Sequence, residues 1–180
     1  GSSLAATEAV RAELPALLRG LGVTSLLDAP CGDFNWMQHV DLQGIRYTGA
    51  DVVPQLVERN AQRFASDDRQ FIVRDITTEA LPLADAILSR DCLVHLSYVK
   101  ALAALRNFRS SGAQYLLSTT YTDRVKNWDI VTGNWRPLNL QLPPFSFPPP
   151  IAAINERCTE GDGGFEDKTL AVWKLSDLPF

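Results

Sequence analysis

SLLDAPCGDFNW, Ser25 to Trp36, reads as a short apolar strand running into a tight turn and then a helix, the place where nucleotide-binding α/β folds keep a glycine-rich loop. Gly32 is the only glycine in it, and Pro30 and Phe34 stand where glycines usually stand. Whether this turn is a ligand site depends on what surrounds it. Upstream, SLAATEAVRAELPALLRGLG carries Leu14, Leu17, Leu18 and Leu21 at helical spacing, with a kink expected at Pro15 and a stop at Gly20 or Gly22. Downstream, IRYTGADVV, RQFIVRD, LADAILSRD and AQYLLSTTY read as four further strands, with PQLVERNAQRF and SYVKALAALRNFRSSG as helices among them. Alternating apolar strands and helices indicate an α/β fold: a doubly wound sheet of parallel strands with helices on both faces, because right-handed crossovers put them there. PIAAINERC and KTLAVWKLSDL, joined by the turn-rich TEGDGGFED, then read as an antiparallel C-terminal hairpin at the sheet edge.

The 180 residues suit a single domain with one sheet-centred core. Seventeen Lys and Arg against 21 Asp and Glu give a net charge of −4 with no basic run, which argues against nucleic acid as a partner. The apolar stretches fall well short of the roughly 20 residues that cross a bilayer, and no basic-then-apolar leader opens the sequence, so no membrane role and a cytoplasmic location are expected. Cys31, Cys92 and Cys158 are scattered, and with only His39 and His95 beside them they support neither a disulfide framework nor a metal site. The sequence is silent on oligomeric state.

Open α/β sheets bind ligands beyond the carboxyl ends of their strands. Four strands here are read as ending at Asp28, Asp51, Asp75 and Asp91, gathering four carboxylates at one crevice. Asp51 follows Asp28 by 23 residues, the place of an acidic residue that accepts hydrogen bonds from the two hydroxyls of an adenosine ribose. A dinucleotide is disfavoured, since Asp33 puts a carboxylate on the turn where pyrophosphate would sit. The same carboxylates suit a ligand with ribose and adenine but a sulfonium and an ammonium in place of phosphate: S-adenosylmethionine. Gly32 is then the point of close backbone approach, with Pro30 and Phe34 stiffening and covering the turn.

LLDAPCGDFNW resembles a variant of the first motif of the class I, Rossmann-like, S-adenosylmethionine-dependent methyltransferases, with Asp28 as its acidic member and Gly32 as its middle glycine. YTGADVVPQLVERN is similar to the family's second motif. The resemblance implies Asp51 on the ribose, Val52 beside the adenine, and Asp75 and Ile76, in VRDIT, near the adenine amino group. Pro30, Cys31, Trp36 and Arg90 complete the implied cofactor set. SRDCLVHLS stands where the fourth motif follows the fourth strand. DAPCGDFNWM, RDCLVHLS and GNWRPLNL together look like a compact bacterial subgroup.

Asp91 and His95 stand four apart in a segment read as the start of a helix, so the carboxylate could orient the imidazole as a general base for a hydroxyl acceptor; alternatively Asp91 caps the helix and His95 fills a crevice. Trp36 either covers the cofactor or packs on the sheet. Tyr121 to Pro150 holds six of the 11 prolines and two of the four tryptophans in a connection too long to be idle. Trp128, Asp129, Trp135, Arg136 and Asn139 make it an acceptor-binding loop for a small polar molecule, sugar-like or hydroxylated, with Arg136 or Arg90 holding any acidic group. The other reading of the loop is a rigid proline-rich strap. Rival functions are methylation of a peptide or protein side chain, a silent cofactor-binding module, and a nicotinamide-dependent oxidoreductase.

Overall fold

The computed structural model describes residues 2–180. Its ten regular elements are α1 (Glu8–Gly20), β1 (Ser25–Asp28), β2 (Arg46–Asp51), α2 (Pro54–Phe64), β3 (Arg69–Val73), β4 (Ala86–Ser89), α3 (Tyr98–Ser110), β5 (Tyr115–Tyr121), β6 (Ala152–Asn155) and β7 (Lys168–Lys174), with three short 3-10 turns. The strands form one seven-stranded sheet in the order β3-β2-β1-β4-β5-β7-β6. Strands β1 to β5 pair in parallel, and β7 inserts antiparallel between β5 and β6. The sheet is thus the doubly wound, mostly parallel one expected, and its reversed strand starts where the others finish. That reversal places Lys168 opposite Tyr121 at the carboxyl edge.

Side chains alternate across the sheet and divide the core in two. Leu27, Ile87, Leu116, Ala171 and Trp173 face α3, whose Ala101, Ala104, Leu105 and Phe108 are fully buried. Leu26, Leu88, Leu117, Leu170 and Val172 face the other way, onto Val10, Leu14 and Leu18 of α1 and Val57 of α2. Pro15 lies inside α1, which ends at Gly20 before Gly22 takes a positive φ of 70°.

No α-helix follows β1. The segment after the turn forms only the 3-10 turn Met37–His39, because Asp33 and Asp41 turn their carboxylates onto the amides of Asn35 and Gln43 and so divert the backbone from helix. The Phe34 ring, 1% exposed, sinks among Tyr47, Phe64 and Phe71 at centroid distances of 5.1–5.2 Å. Phe34 therefore anchors the turn from the core side and does not cover a ligand. Its φ of 58° is the left-handed conformation a glycine takes without penalty, and burial of an aromatic ring offsets the strain.

The crossover from β5 to β6 also lacks a helix. Leu138, Leu140, Phe145 and Phe147 of the proline-rich segment pack into the α3-side core in its place. The sequence Asn127, Asn139 and Thr120 stitches it: Asn127 Nδ2 donates to the Asn139 carbonyl at 2.9 Å, Asn139 Nδ2 to the carbonyls of Thr122 and Arg124, and the Leu140 amide to Thr120 Oγ1 at 3.0 Å. This is a bonded strap for most of its length.

Candidate active site

At the carboxyl edge, above β1, β4, β5 and the start of β7, lies a cavity of about 540 Å³. A second, of about 230 Å³, opens beside it over the ends of β2 and β3. Pro30 and Asp51 line both.

The turn between the cavities is held from below. The Cys31 amide donates to the Ala50 carbonyl at 2.9 Å and the Gly32 amide to Asp51 Oδ2 at 3.1 Å, while Asn60 of α2 donates to the Gly32 carbonyl at 2.8 Å. Gly32 has a φ of 57°, and a Cβ placed on it would meet nothing within 4 Å: its outer side is an open cradle. Asp51, at the last position of β2, also accepts the Val53 amide through Oδ1 at 3.0 Å, so both its oxygens are oriented before any ligand arrives. The smaller cavity is an apolar slot of Val52, Ile76, Cys92 and Leu96, with Asp75 at its rim. Asp75 sits two residues beyond β3 and accepts from the amide and hydroxyl of Thr77, which holds its pKa below the usual carboxylate range.

Asp28 is different. It is 3% exposed, lies beneath the turn, and accepts a 2.6 Å hydrogen bond from the Tyr47 hydroxyl. Burial pushes its pKa up to about 7, against the opposing effects of that hydrogen bond and of Arg90. Burial likewise raises the Cys31 thiol, beside Asp28 and Asp51, and lifts Cys92 to about 12, so neither cysteine is a nucleophile near neutral pH.

The far side of the larger cavity rests on four charges. Arg90 and Asp91 follow β4; Glu156 follows β6; Lys168 opens β7. Arg90 grips Glu156 with two hydrogen bonds of 2.6 and 3.1 Å, and Lys168 donates to Asp91 at 2.7 Å while lying 3.3 Å from Glu156. Arg90 also stands 3.3 Å from Asp91 and 5.4 Å over the ring of Trp36. Burial disfavours its cation, but Glu156 and Asp91 outweigh that and raise its pKa further. Trp36 is a core residue at 7% exposure that also forms part of the cavity wall.

Asp91 and His95 both line this cavity, but not as a helical pair. The segment is the 3-10 turn Leu93–His95, α3 begins only at Tyr98, and Ser97 rather than Asp91 caps it. The Asp91 carboxylate is engaged by Lys168 and Arg90, and the imidazole is oriented instead by the Asn134 carbonyl, 3.0 Å from Nδ1. A carbonyl only accepts, so Nδ1 carries the hydrogen and Nε2 of the neutral ring is left basic.

Of the five residues foreseen for the acceptor, Trp135 alone lines the cavity. Arg136 is fully buried, donating to the carbonyls of Leu93 and Val94 at 3.1 and 3.0 Å with Tyr98 over its guanidinium; it clamps the 3-10 turn and cannot reach an acceptor. Asn139 is spent on the strap, and Asp129 accepts from the Tyr98 amide at 2.7 Å at the start of α3. Trp128 is half-exposed away from the cavity.

No protein-family model matches the chain, and no curated protein matches it in sequence. Solved structures do match. 1,6-Didemethyltoxoflavin-N1-methyltransferase of Burkholderia thailandensis, with 1,6-didemethyltoxoflavin and S-adenosylhomocysteine bound, superposes with a TM-score of 0.67 at 17% identity over 96% of this chain and 79% of that one. The chain has the class I methyltransferase fold. The methyltransferase domain of bacterial CtHen1 matches at a TM-score of 0.56 and 16% identity over 68% of this chain and 71% of its own. Human N-acetylserotonin methyltransferase in complex with S-adenosylmethionine matches at 0.54 and 16% over 74% of this chain, which spans 45% of that protein.

Within this methyltransferase fold, several residues of the cavity escaped the sequence reading. Tyr121, Glu160, Phe165 and Lys168 line the cavity and Glu156 supports it, from the end of β5, the connection between β6 and β7, and the start of β7. The one local signal was charge: Glu156 and Lys168 flank otherwise apolar strand segments, where an ion is costly unless paired. Among the described residues no group of three or more His, Cys, Asp and Glu could hold a metal ion, and no helix is long and apolar enough to cross a membrane.

Proposed function

We propose that the protein is an S-adenosylmethionine-dependent methyltransferase that methylates a hydroxyl of a small molecule. One observation carries the reading: Asp51, its carboxylate pre-oriented by two backbone amides, stands where an apolar slot meets a polar, acid-lined cavity. That is the layout an adenosine with a cationic amino-acid tail requires. The adenine fits between Val52 and Ile76 near Asp75, the ribose hydroxyls donate to Asp51, and the tail lies along Pro30, Cys31 and Gly32 against Trp36. A dinucleotide fits worse, because the amides of Cys31 and Gly32 that would cradle pyrophosphate are already donated to Ala50 and Asp51, and Asp33 lines the cavity. Neighbours of the same fold crystallised with S-adenosylhomocysteine or S-adenosylmethionine support the choice.

When bound, the cofactor supplies an electrophilic methyl group on a sulfonium. The chain's own contribution is alignment and proton removal. Positioning two reactants is worth roughly 7–11 kcal/mol of a barrier. Here the bonded turn fixes one side and the Arg90, Asp91, Glu156 and Lys168 cluster the other. His95, its Nδ1 hydrogen held by Asn134, takes the hydroxyl proton at Nε2.

The test is calorimetry with S-adenosylmethionine, S-adenosylhomocysteine and NAD, followed by detection of S-adenosylhomocysteine formed with phenolic, sugar and peptide acceptors. Binding of the two adenosyl ligands and turnover of a small hydroxylated acceptor are expected. NAD binding alone refutes the cofactor, turnover of peptides alone refutes the acceptor, and binding with no turnover identifies a silent module.

A further inference from the structure

The acceptor half of the cavity has a wall that the hydroxyl reading does not explain. Three rings from three separate segments meet there: Tyr121 at the end of β5, Trp135 of the strap, and Phe165 of the connection between β6 and β7. Each pair is edge-to-face, with centroids 6.1 Å apart for Tyr121 and Trp135, 5.8 Å for Tyr121 and Phe165, and 5.0 Å for Trp135 and Phe165. Rings packed this way fix one another's orientation. Yet Trp135 stays 42% exposed, so the wall offers preset aromatic surface to whatever enters.

The charges beside it select against one class of guest. Arg90 and Lys168 are matched by Asp91 and Glu156, and the side chains of both cations are at most 5% exposed. Neither has charge left to offer. Asp91 is the most exposed member of the cluster, its side chain 23% exposed beside the at most 5% of Arg90, Lys168 and Glu156, and its backbone is held at a positive φ of 52° by a 2.8 Å hydrogen bond from its amide to Thr119 Oγ1. A non-glycine residue in that conformation is held there by its surroundings, and a carboxylate aimed at a cavity accepts from a donor. Asp33 and Asp51 line the same cavity, so with the cluster neutral these carboxylates give its lining a negative charge.

Resting on the methyltransferase reading, we propose that the acceptor is a flat ring compound that carries a hydroxyl or ring N–H and no anionic group. Its ring lies on Trp135 and Phe165, its donor faces Asp91, and Lys168 is a positioning residue that holds Asp91 without contacting the acceptor. A carboxylate or phosphate on the ring meets that negative charge, and among the described residues the lining cations Arg90 and Lys168 are already engaged by Glu156 and Asp91. A sugar would need several hydrogen-bonding partners on its rim, and next to the rings Tyr121 and Lys168 are almost wholly buried.

The experiment uses the full chain saturated with S-adenosylhomocysteine, whose binding is first measured alone, so that loss of the cofactor reading shows before any acceptor probe is added. Three probe classes are then compared by saturation-transfer NMR and calorimetry: 2-naphthol, 7-hydroxycoumarin and 5-hydroxyindole; their carboxylated counterparts, including 6-hydroxy-2-naphthoate; and methyl glycosides. Neutral rings should bind at least tenfold more tightly than their carboxylates, and the gap should narrow at high salt. Trp135→Ala should weaken ring binding at least fivefold while leaving S-adenosylhomocysteine affinity within twofold, and Asp91→Asn should shrink the discrimination against carboxylates. Carboxylates or glycosides binding as well as the neutral rings, no ring probe binding at all, or rings binding equally to Trp135→Ala each overturn the proposal.

Discussion

Asp28 ends β1 as a carboxylate with almost no solvent, and its pKa makes the stability of the whole domain depend on pH in a direction opposite to that of a paired surface acid. Its pKa rises from 3.8 to about 7 on folding, chiefly through burial. Below pH 3.8 the group is protonated in both states and contributes nothing to their difference. Between 3.8 and 7 the unfolded chain releases the proton and the folded one keeps it, so stability falls as pH rises; above 7 both are ionised and the loss is complete. Roughly three pH units at about 1.4 kcal/mol each make the loss about 4 kcal/mol, a large share of the 5–15 kcal/mol typical of a domain. Asp28→Asn keeps the shape and an acceptor for the Tyr47 hydroxyl, leaves an amide group short of a partner at about 1–3 kcal/mol, and removes the titration. Urea unfolding of parent and variant across pH 4 to 8 measures the difference directly, since every other titrating group cancels in the subtraction. The variant should be the less stable at pH 4 and gain on the parent by about 4 kcal/mol by pH 7.5. Parallel curves would refute the reasoning, and would mean that Asp28 is ionised in the folded protein.

Asp51→Ala should weaken S-adenosylhomocysteine binding by about 2–3 kcal/mol in calorimetry, since hydrogen bonds to a charged acceptor are lost; unchanged affinity moves the ribose elsewhere. With a hydroxyl acceptor, His95→Ala should lower kcat by about 10²- to 10⁴-fold at constant cofactor affinity, and a nearly active variant removes the base from the mechanism. Arg136→Ala should lower thermal stability by about 3 kcal/mol, because carbonyls of Leu93 and Val94 lose a charged donor inside the core; a variant with normal stability and altered acceptor choice would return Arg136 to the site.

Local pattern carries far in this chain. The expected helix PQLVERNAQRF coincides with α2, and the four central strands fall inside the stretches read for them, because a strand buried on both faces must be apolar throughout and helices must be amphipathic. Asp51 was legible from its place at the end of such a strand, 23 residues after Asp28, whereas Asp28, at the end of β1, turned inward to the Tyr47 hydroxyl. Where the reading failed, side chains overrode pattern. The helix expected after the turn gives way to a 3-10 turn under Asp33, Asp41 and the buried Phe34, and the Asp91 and His95 spacing suggested a shared helical face on a segment that is not a helix.

By itself, then, the order of residues determines the alternation of strands and helices and the carboxylates at the strand ends, because these follow from local apolar patterning. The tertiary structure alone decides the far wall of the larger cavity. Arg90 meets Glu156 across 66 residues, Asp91 meets Lys168 across 77, and Arg136 goes into the core while its neighbour Trp135 turns to the cavity. A charge in a sequence carries no sign of whether its partner lies in solvent, in a ligand or on a distant strand. Only the insertion of β7 between β5 and β6 brings these charges close enough to neutralise one another.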